Sequence, residues 1–176
     1  MKKQFLLLFI FTSLLLFSQT SLNRLFKIEA GFQGLNLGYE QPLNEKLLLD
    51  LNAGVGGVVW IPEGSSISYR LGTTASQNYF SPFLRAQLRY YFNRDARASK
   101  GHSLENNAGS FWGIQTKMVL NSEEADVFVT DAHFGQQLPL GKRWIYRYHL
   151  GLGLGINGEG YGAFYPAIGS SFGYVF

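Results

Sequence analysis

The 176-residue chain has no cysteine. That excludes disulfides and a lipid-modified N-terminal cysteine. Histidine occurs only three times, and no His/Asp/Glu group has the spacing of metal ligands, so neither a metal nor another cofactor is expected. Proline is scarce, and there is no linker or low-complexity stretch. No amphipathic helical period stands out. Beyond the N-terminus there is no apolar run long enough for a membrane-spanning helix. Excess charge of one sign is also missing. The formal +3 falls to thirteen basic against twelve acidic residues once Lys2 and Lys3 are set aside. No basic patch remains to bind nucleic acid.

Gly (21) and aromatic residues (16%) are plentiful, a composition of strands and turns. At the N-terminus, Lys2 and Lys3 precede an apolar run from Phe5 to Phe17, followed by Ser18, Gln19 and Thr20. This is the pattern of a secretory signal peptide over 1–20, too short for a spanning helix. About 155 residues, 21–176, are left for one domain.

Within that domain, apolar residues recur at every second position. Phe26, Ile28, Ala30 and Phe32 alternate with Lys27 and Glu29; Leu35, Leu37 and Tyr39 follow, with Glu40 on the other parity. The phase change at Gln33-Gly34 fits a bulge or a hairpin turn; it is read as the turn because that raises the count to eight strands and makes the other loops consistent. Leu47 to Val55 alternate with Asp50 and Asn52. Pro82 to Phe92 alternate with Arg85, Gln87 and Arg89. Trp112, Ile114, Met118 and Leu120 oppose Gln115 and Lys117, and Phe128, Ala132 and Phe134 oppose Asp131, His133 and Gln137. Trp144 to Ile156 oppose Arg147, His149 and three glycines. Phe164, Pro166, Ile168, Phe172, Tyr174 and Phe176 oppose Ala167, Gly169, Ser171 and Gly173.

Those eight period-2 segments predict an all-β fold: an eight-stranded antiparallel transmembrane β-barrel with its apolar parity toward lipid. A soluble ligand-binding barrel reverses the two faces. Eight strands return both termini to one side, the periplasm. The outer loops then fall at 33–34, 61–79, 121–124 and 157–163, and the inner turns at 43–45, 94–108 and 139–142. Aromatics sort by depth. Phe26, Tyr39, Tyr90, Phe92, Trp112, Trp144, Tyr146, Tyr174 and Phe176 form one girdle; Phe32, Trp60, Phe80, Phe128 and Phe164 form the other.

The stretch from Arg89-Tyr90-Tyr91-Phe92-Asn93 through Lys100-Gly101 to Asn106-Asn107-Ala108-Gly109-Ser110-Phe111 resembles the small outer-membrane β-barrel proteins of Bacteroidota. The Tyr-Tyr-x-Asn strand end, the basic turn and the Asn-Asn restart carry the likeness. So do the run from Phe26 through Gly31-Phe32 to Tyr39-Glu40 and Pro42-Leu43, and Gly151-Leu-Gly-Leu-Gly. This chain departs at Ala108 and Ser110. The resemblance implies a Gram-negative outer-membrane location and this fold, and no catalytic residue.

The opposite parity gathers Lys27, Glu29, Glu40, Asp50, Arg85, Arg89, Lys117, Asp131, His133, Arg147 and His149 in the lumen. Eight strands enclose just enough room for their own side chains, and these signs nearly balance, so the expected state is a plug of ion pairs. The expected role is structural or interactive, an envelope accessory. A narrow porin-like channel is the alternative, and a barrel hydrolase acting on outer-leaflet lipid is a third reading. Asp131-x-His133 with His149 nearby could serve such a hydrolase, but no nucleophile spacing accompanies either histidine, so no catalytic residue is assigned. The Leu/Gly alternation at 151–155 lies inside a strand and is not a nucleotide loop. Phe172, Tyr174 and Phe176 resemble a C-terminal barrel-insertion signal. Expected partners are therefore outer-membrane lipid, lipopolysaccharide and the insertion machinery. The basic turn at 94–108 offers a surface to a periplasmic partner, although a solvated loop explains it as well.

Overall fold

A computed structural model describes residues 21–57, 80–120, 127–157 and 162–176. The signal segment, the loops at 61–79 and 121–124, Trp60 and much of 157–163 lie outside the described residues. Eight strands run in order: β1 (Leu25–Gly31), β2 (Gly34–Pro42), β3 (Leu47–Gly57), β4 (Phe80–Tyr91), β5 (Gly109–Val119), β6 (Val127–Leu140), β7 (Trp144–Asn157) and β8 (Gly162–Val175). Each pairs antiparallel with its neighbours, and β1 pairs with β8 to close the barrel. Closure satisfies the edges that an open sheet would leave unpaired. Among the described residues, no helix is long and apolar enough to cross a membrane.

Side chains alternate across the wall as the period-2 pattern requires. Outward lie Leu37 (63% exposed), Ile114 (60%) and Leu152 (76%); inward lie Lys27 (1%), Asp50 (0%) and Arg89 (0%). A soluble protein buries the first set and exposes the second. This barrel is inside out.

The strands are steeply staggered. Following cross-strand partners once around from Lys27 passes Gly38, Asn52, Arg85, Lys117, Val129 and Gly155 to reach Ala163. Lys27 itself pairs with Val175 on β8, twelve residues further along. Stagger and tilt are linked in a closed barrel. Residues of unequal register therefore share one height, and this brings Lys27, Glu40, Asp50 and Arg89 together.

Three details differ from the sequence reading. The first turn is Phe32-Gln33, one residue earlier than 33–34, because Gly31 pairs with Gly34. Gly34 holds φ +111, and a Cβ there would meet the Val55 carbonyl, so glycine sets where β2 begins.

The segment 94–108 is largely exposed but carries structure of its own. It forms helix α1 (Arg94–Ser99) and a 3-10 turn (Glu105–Asn107), and it buries Arg94, Asn107 and Ala108. Asn106 and Asn107 both adopt left-handed φ, 52 and 55, a conformation asparagine tolerates. Asn107 exchanges hydrogen bonds with the backbone of Asn23 at 2.7 and 2.8 Å, and Gln137 donates to the Asn106 carbonyl at 2.7 Å. Burial pulls the Arg94 guanidinium below its ordinary pKa, while the carbonyls of Ala108 and Ser21 accept from it at 2.8 and 3.0 Å. The segment thus folds back under the barrel.

Nor is the inward face uniformly polar or small. Phe83, Val119, Val129, Tyr165 and Ala167 make an apolar cluster at one end of the lumen. Leu22, Leu48, Tyr91 and Phe111 make another at the opposite end. A staggered wall must fill its tapering ends with bulk, and charges there would lack partners.

Candidate functional site

Between those apolar clusters lies the ionic lumen. All eleven residues grouped on the inward parity are buried there: Lys27, Glu29, Glu40, Asp50, Arg85, Arg89, Lys117, Asp131, His133, Arg147 and His149. The structure divides them into two groups.

The first group is built around three carboxylates from β1, β2 and β3. The Lys27 ammonium donates to Glu40 at 2.6 Å and to Asp50 at 3.2 Å, and it lies 3.5 Å from Glu29. Arg89 donates to Asp50, to Glu40 at 3.0 Å and to Gln137 Oε1 at 3.0 Å. Arg147 spans Glu29 at 2.9 Å and Asp50 at 3.0 Å. Arg85 reaches Glu29 only at 3.4 Å and Gln33 at 2.5 Å. Asn107, from the segment below the barrel, donates to Glu40 Oε2 at 2.7 Å. Each carboxylate is shared by at least two cations, as buried charges require.

The second group centres on Asp131. Its Oδ2 accepts from Gln115 and from the Tyr165 hydroxyl, both at 2.9 Å, and its Oδ1 lies 2.5 Å from His133 Nδ1. His133 Nε2 sits 2.6 Å from Gln87 Nε2, and Gln87 Oε1 accepts from Arg89 Nε at 2.7 Å. With the Gln87 amide donating, His133 Nε2 accepts and its Nδ1–H donates to Asp131. Gln87 thereby links the two groups. His149 on β7 stacks against His133 with ring centroids 4.4 Å apart. Both His133 nitrogens are taken, and the hydrogen-bond partners of the Asp131–His133 pair include no serine, threonine or cysteine.

Lys117 stands apart. Its ammonium lies 4.1 Å from the Phe83 ring centroid, and among the described residues no carboxylate comes within 4.0 Å of it.

The C-terminal residues Phe172, Tyr174 and Phe176 face outward. Phe172 packs on Tyr146 at 4.8 Å, and Tyr174 on Trp144 at 5.1 Å and Phe176 at 5.5 Å. Phe26–Tyr39 (4.6 Å) and Phe92–Trp112 (6.5 Å) continue an aromatic band around the end that carries the termini.

Several members of the network were not singled out from sequence. Alternation placed Gln87, Gln115 and Gln137 on the inward parity, but only charged residues and histidines were gathered into the network. Tyr165 is masked by being aromatic on a face expected to be small. Asn107 lies outside the strands altogether.

The arrangement can fix charges against one another and hold eight strands in register. A cavity beneath the β1–β2 turn has a volume of about 10 Å³, the size of one water. Fold and lumen together define a closed, eight-stranded antiparallel barrel of inverted polarity. No family model, no curated protein and no solved structure matches the chain.

Proposed function

We propose that the protein is a Gram-negative outer-membrane barrel of structural or interaction type, an envelope accessory with a plugged lumen. The observation that carries the reading is the inversion of polarity: a belt of exposed leucine and isoleucine outside, and buried, paired charges inside. Exposed apolar area on this scale is costly in water and favourable in lipid. The aromatic band at the terminal end supports the same environment, as does the resemblance to small Bacteroidota barrels.

On this reading the outer surface contacts membrane lipid and lipopolysaccharide, and the insertion machinery recognises Phe172, Tyr174 and Phe176. A periplasmic partner would meet the exposed face of the 94–108 segment, since its other face is occupied by the barrel. The protein is non-enzymatic: Asp131 and His133 serve the network that holds them.

The test has two stages. Outer-membrane fractions are run on gels with and without boiling, where a folded barrel migrates differently until heated. Purified protein is then placed in planar bilayers. A heat-dependent shift without stable conductance steps is the expected result. Stable steps would turn the reading to a narrow channel. A soluble protein with no shift would end the membrane reading.

A further inference from the structure

The charges of the lumen do not cancel. Among the described wall residues, five buried cations (Lys27, Arg85, Arg89, Lys117, Arg147) face four buried carboxylates (Glu29, Glu40, Asp50, Asp131). The imbalance is local. Lys27, Arg89 and Arg147 share Glu29, Glu40 and Asp50 at short range, and the Asp131 oxygens are engaged by His133, Gln115 and Tyr165. The weakest pairing falls on Arg85, which meets Glu29 only at 3.4 Å, and on Lys117, and these two are direct cross-strand partners on β4 and β5. Two like charges opposite each other on a sheet repel. A buried charge without a counter-charge is among the most costly arrangements in a protein.

The cavity beneath the β1–β2 turn adjoins Arg85. Gln33, Asn36, Arg85, Arg147, His149 and Ser171 line it. Three of these residues carry a buried polar atom with no hydrogen-bond partner in the protein: Arg85 Nε, His149 Nε2 and Asn36 Oδ1. The Asn36 amide can offer either its oxygen or its NH2 group, and a His149 ring nitrogen that carries hydrogen is a donor. The volume of about 10 Å³ is on the scale of a single small group.

We propose that this cavity is a halide site, in which one small monoatomic anion beside Arg85 offsets the single net positive charge of the lumen. It takes donors from Arg85, His149 and Ser171, and Arg147 adds long-range attraction while keeping its bonds to Glu29 and Asp50. The ion locks the β1–β2 turn to β4 and β7. The inference rests on the lumen alone and holds whether or not the barrel sits in a membrane.

The test is the unfolding equilibrium of the full chain in zwitterionic detergent. It is titrated with sodium chloride or fluoride against sodium gluconate at equal ionic strength. Gluconate screens charge but is too large for the cavity. Halide should lower the unfolding constant saturably, about tenfold once its concentration is ten times Kd. Arg85→Gln should abolish the difference between the salts. Ser171→Val, which fills the cavity without removing a charge, should abolish it too and serves if the first variant does not fold. Equal behaviour in halide and gluconate would overturn the proposal and leave the cavity to a water. Halide dependence that survives both substitutions would also overturn it, since the ion would then bind elsewhere.

Discussion

Asp50 is the sharpest place to perturb the lumen. One of its oxygens accepts from three cations carried on three other strands: Lys27 at 3.2 Å, Arg147 at 3.0 Å, and Arg89. Asp50→Asn keeps the shape and deletes the charge. The first group then holds Lys27, Arg85, Arg89 and Arg147 against Glu29 and Glu40 alone. Removing one partner of a buried ion cluster typically costs about 3–5 kcal/mol, because the remaining charges stay buried and unpaired. At about 1.4 kcal/mol per decade, the folding constant should fall by about two to three and a half orders of magnitude. The assay is a urea titration of the refolded barrel, read by gel mobility and by the fluorescence of Trp112 and Trp144. Lys27→Met on the Asp50→Asn background removes a cation along with the anion. It should therefore cost less than the two single changes added, with a coupling of about 0.5–3 kcal/mol. A single Asp50→Asn loss below about 1 kcal/mol would refute the reasoning. It would mean that solvent already reaches these charges and that their pairing is incidental.

Three further outcomes are expected. Leu152→Arg places a charge on the most exposed residue of the mid-wall and should cost about 2–4 kcal/mol in lipid bilayers; equal stability of variant and parent in vesicles would argue against a lipid-facing belt. Gly153→Ala sets a methyl against the Tyr165 ring, forcing that ring off Asp131, and should cost about 1–3 kcal/mol of stability in a urea titration; an unchanged midpoint would mean that Tyr165 does not fill the lumen as described. Asp95→Ala removes the hydrogen bond and charge that hold the Lys46 ammonium above its ordinary pKa. Because Lys46 and Asp95 are 44% and 62% exposed, unfolding should not change measurably, and a clear loss would show that α1 is docked through this pair.

The outward face was legible in the sequence because every position on it obeys one constraint. Leu35, Leu37, Leu84, Ile114, Leu150 and Leu152 all stand exposed on the outer wall, and parity alone sorts them. Strand number depended further on taking the phase change at Gln33-Gly34 as a turn rather than a bulge, and the pairing of Gly31 with Gly34 bears that out. The inward face obeys no such uniform rule, since each side chain there must fit particular partners. Their identity depends on a twelve-residue stagger that alternation does not reveal. Sequence could therefore gather Lys27, Asp50 and Arg147 on one face, but not show that one carboxylate oxygen joins all three. Phe83, Phe111 and Tyr165 were missed for a related reason. They answer to the taper of the lumen rather than to its polarity. The 94–108 segment was the hardest to read. Its helix has only six residues and no apolar stripe, and its anchor, Asn107, works through two backbone bonds and one carboxylate.

That anchor bears on how the barrel closes. β1 and β8 share five register pairs, against seven to fourteen at every other seam, so the closing seam is the shortest. Around it, Lys27 and Glu29 of β1 bond to Glu40, Asp50 and Arg147 on β2, β3 and β7. Asn107 also ties the chain just before β1 to the far side of β4 and β5. Backbone pairing is weakest where the ion pairs and the lower segment are concentrated. Across that short seam, Arg147 of β7 bonds to Glu29 of β1 at 2.9 Å and so bridges over β8.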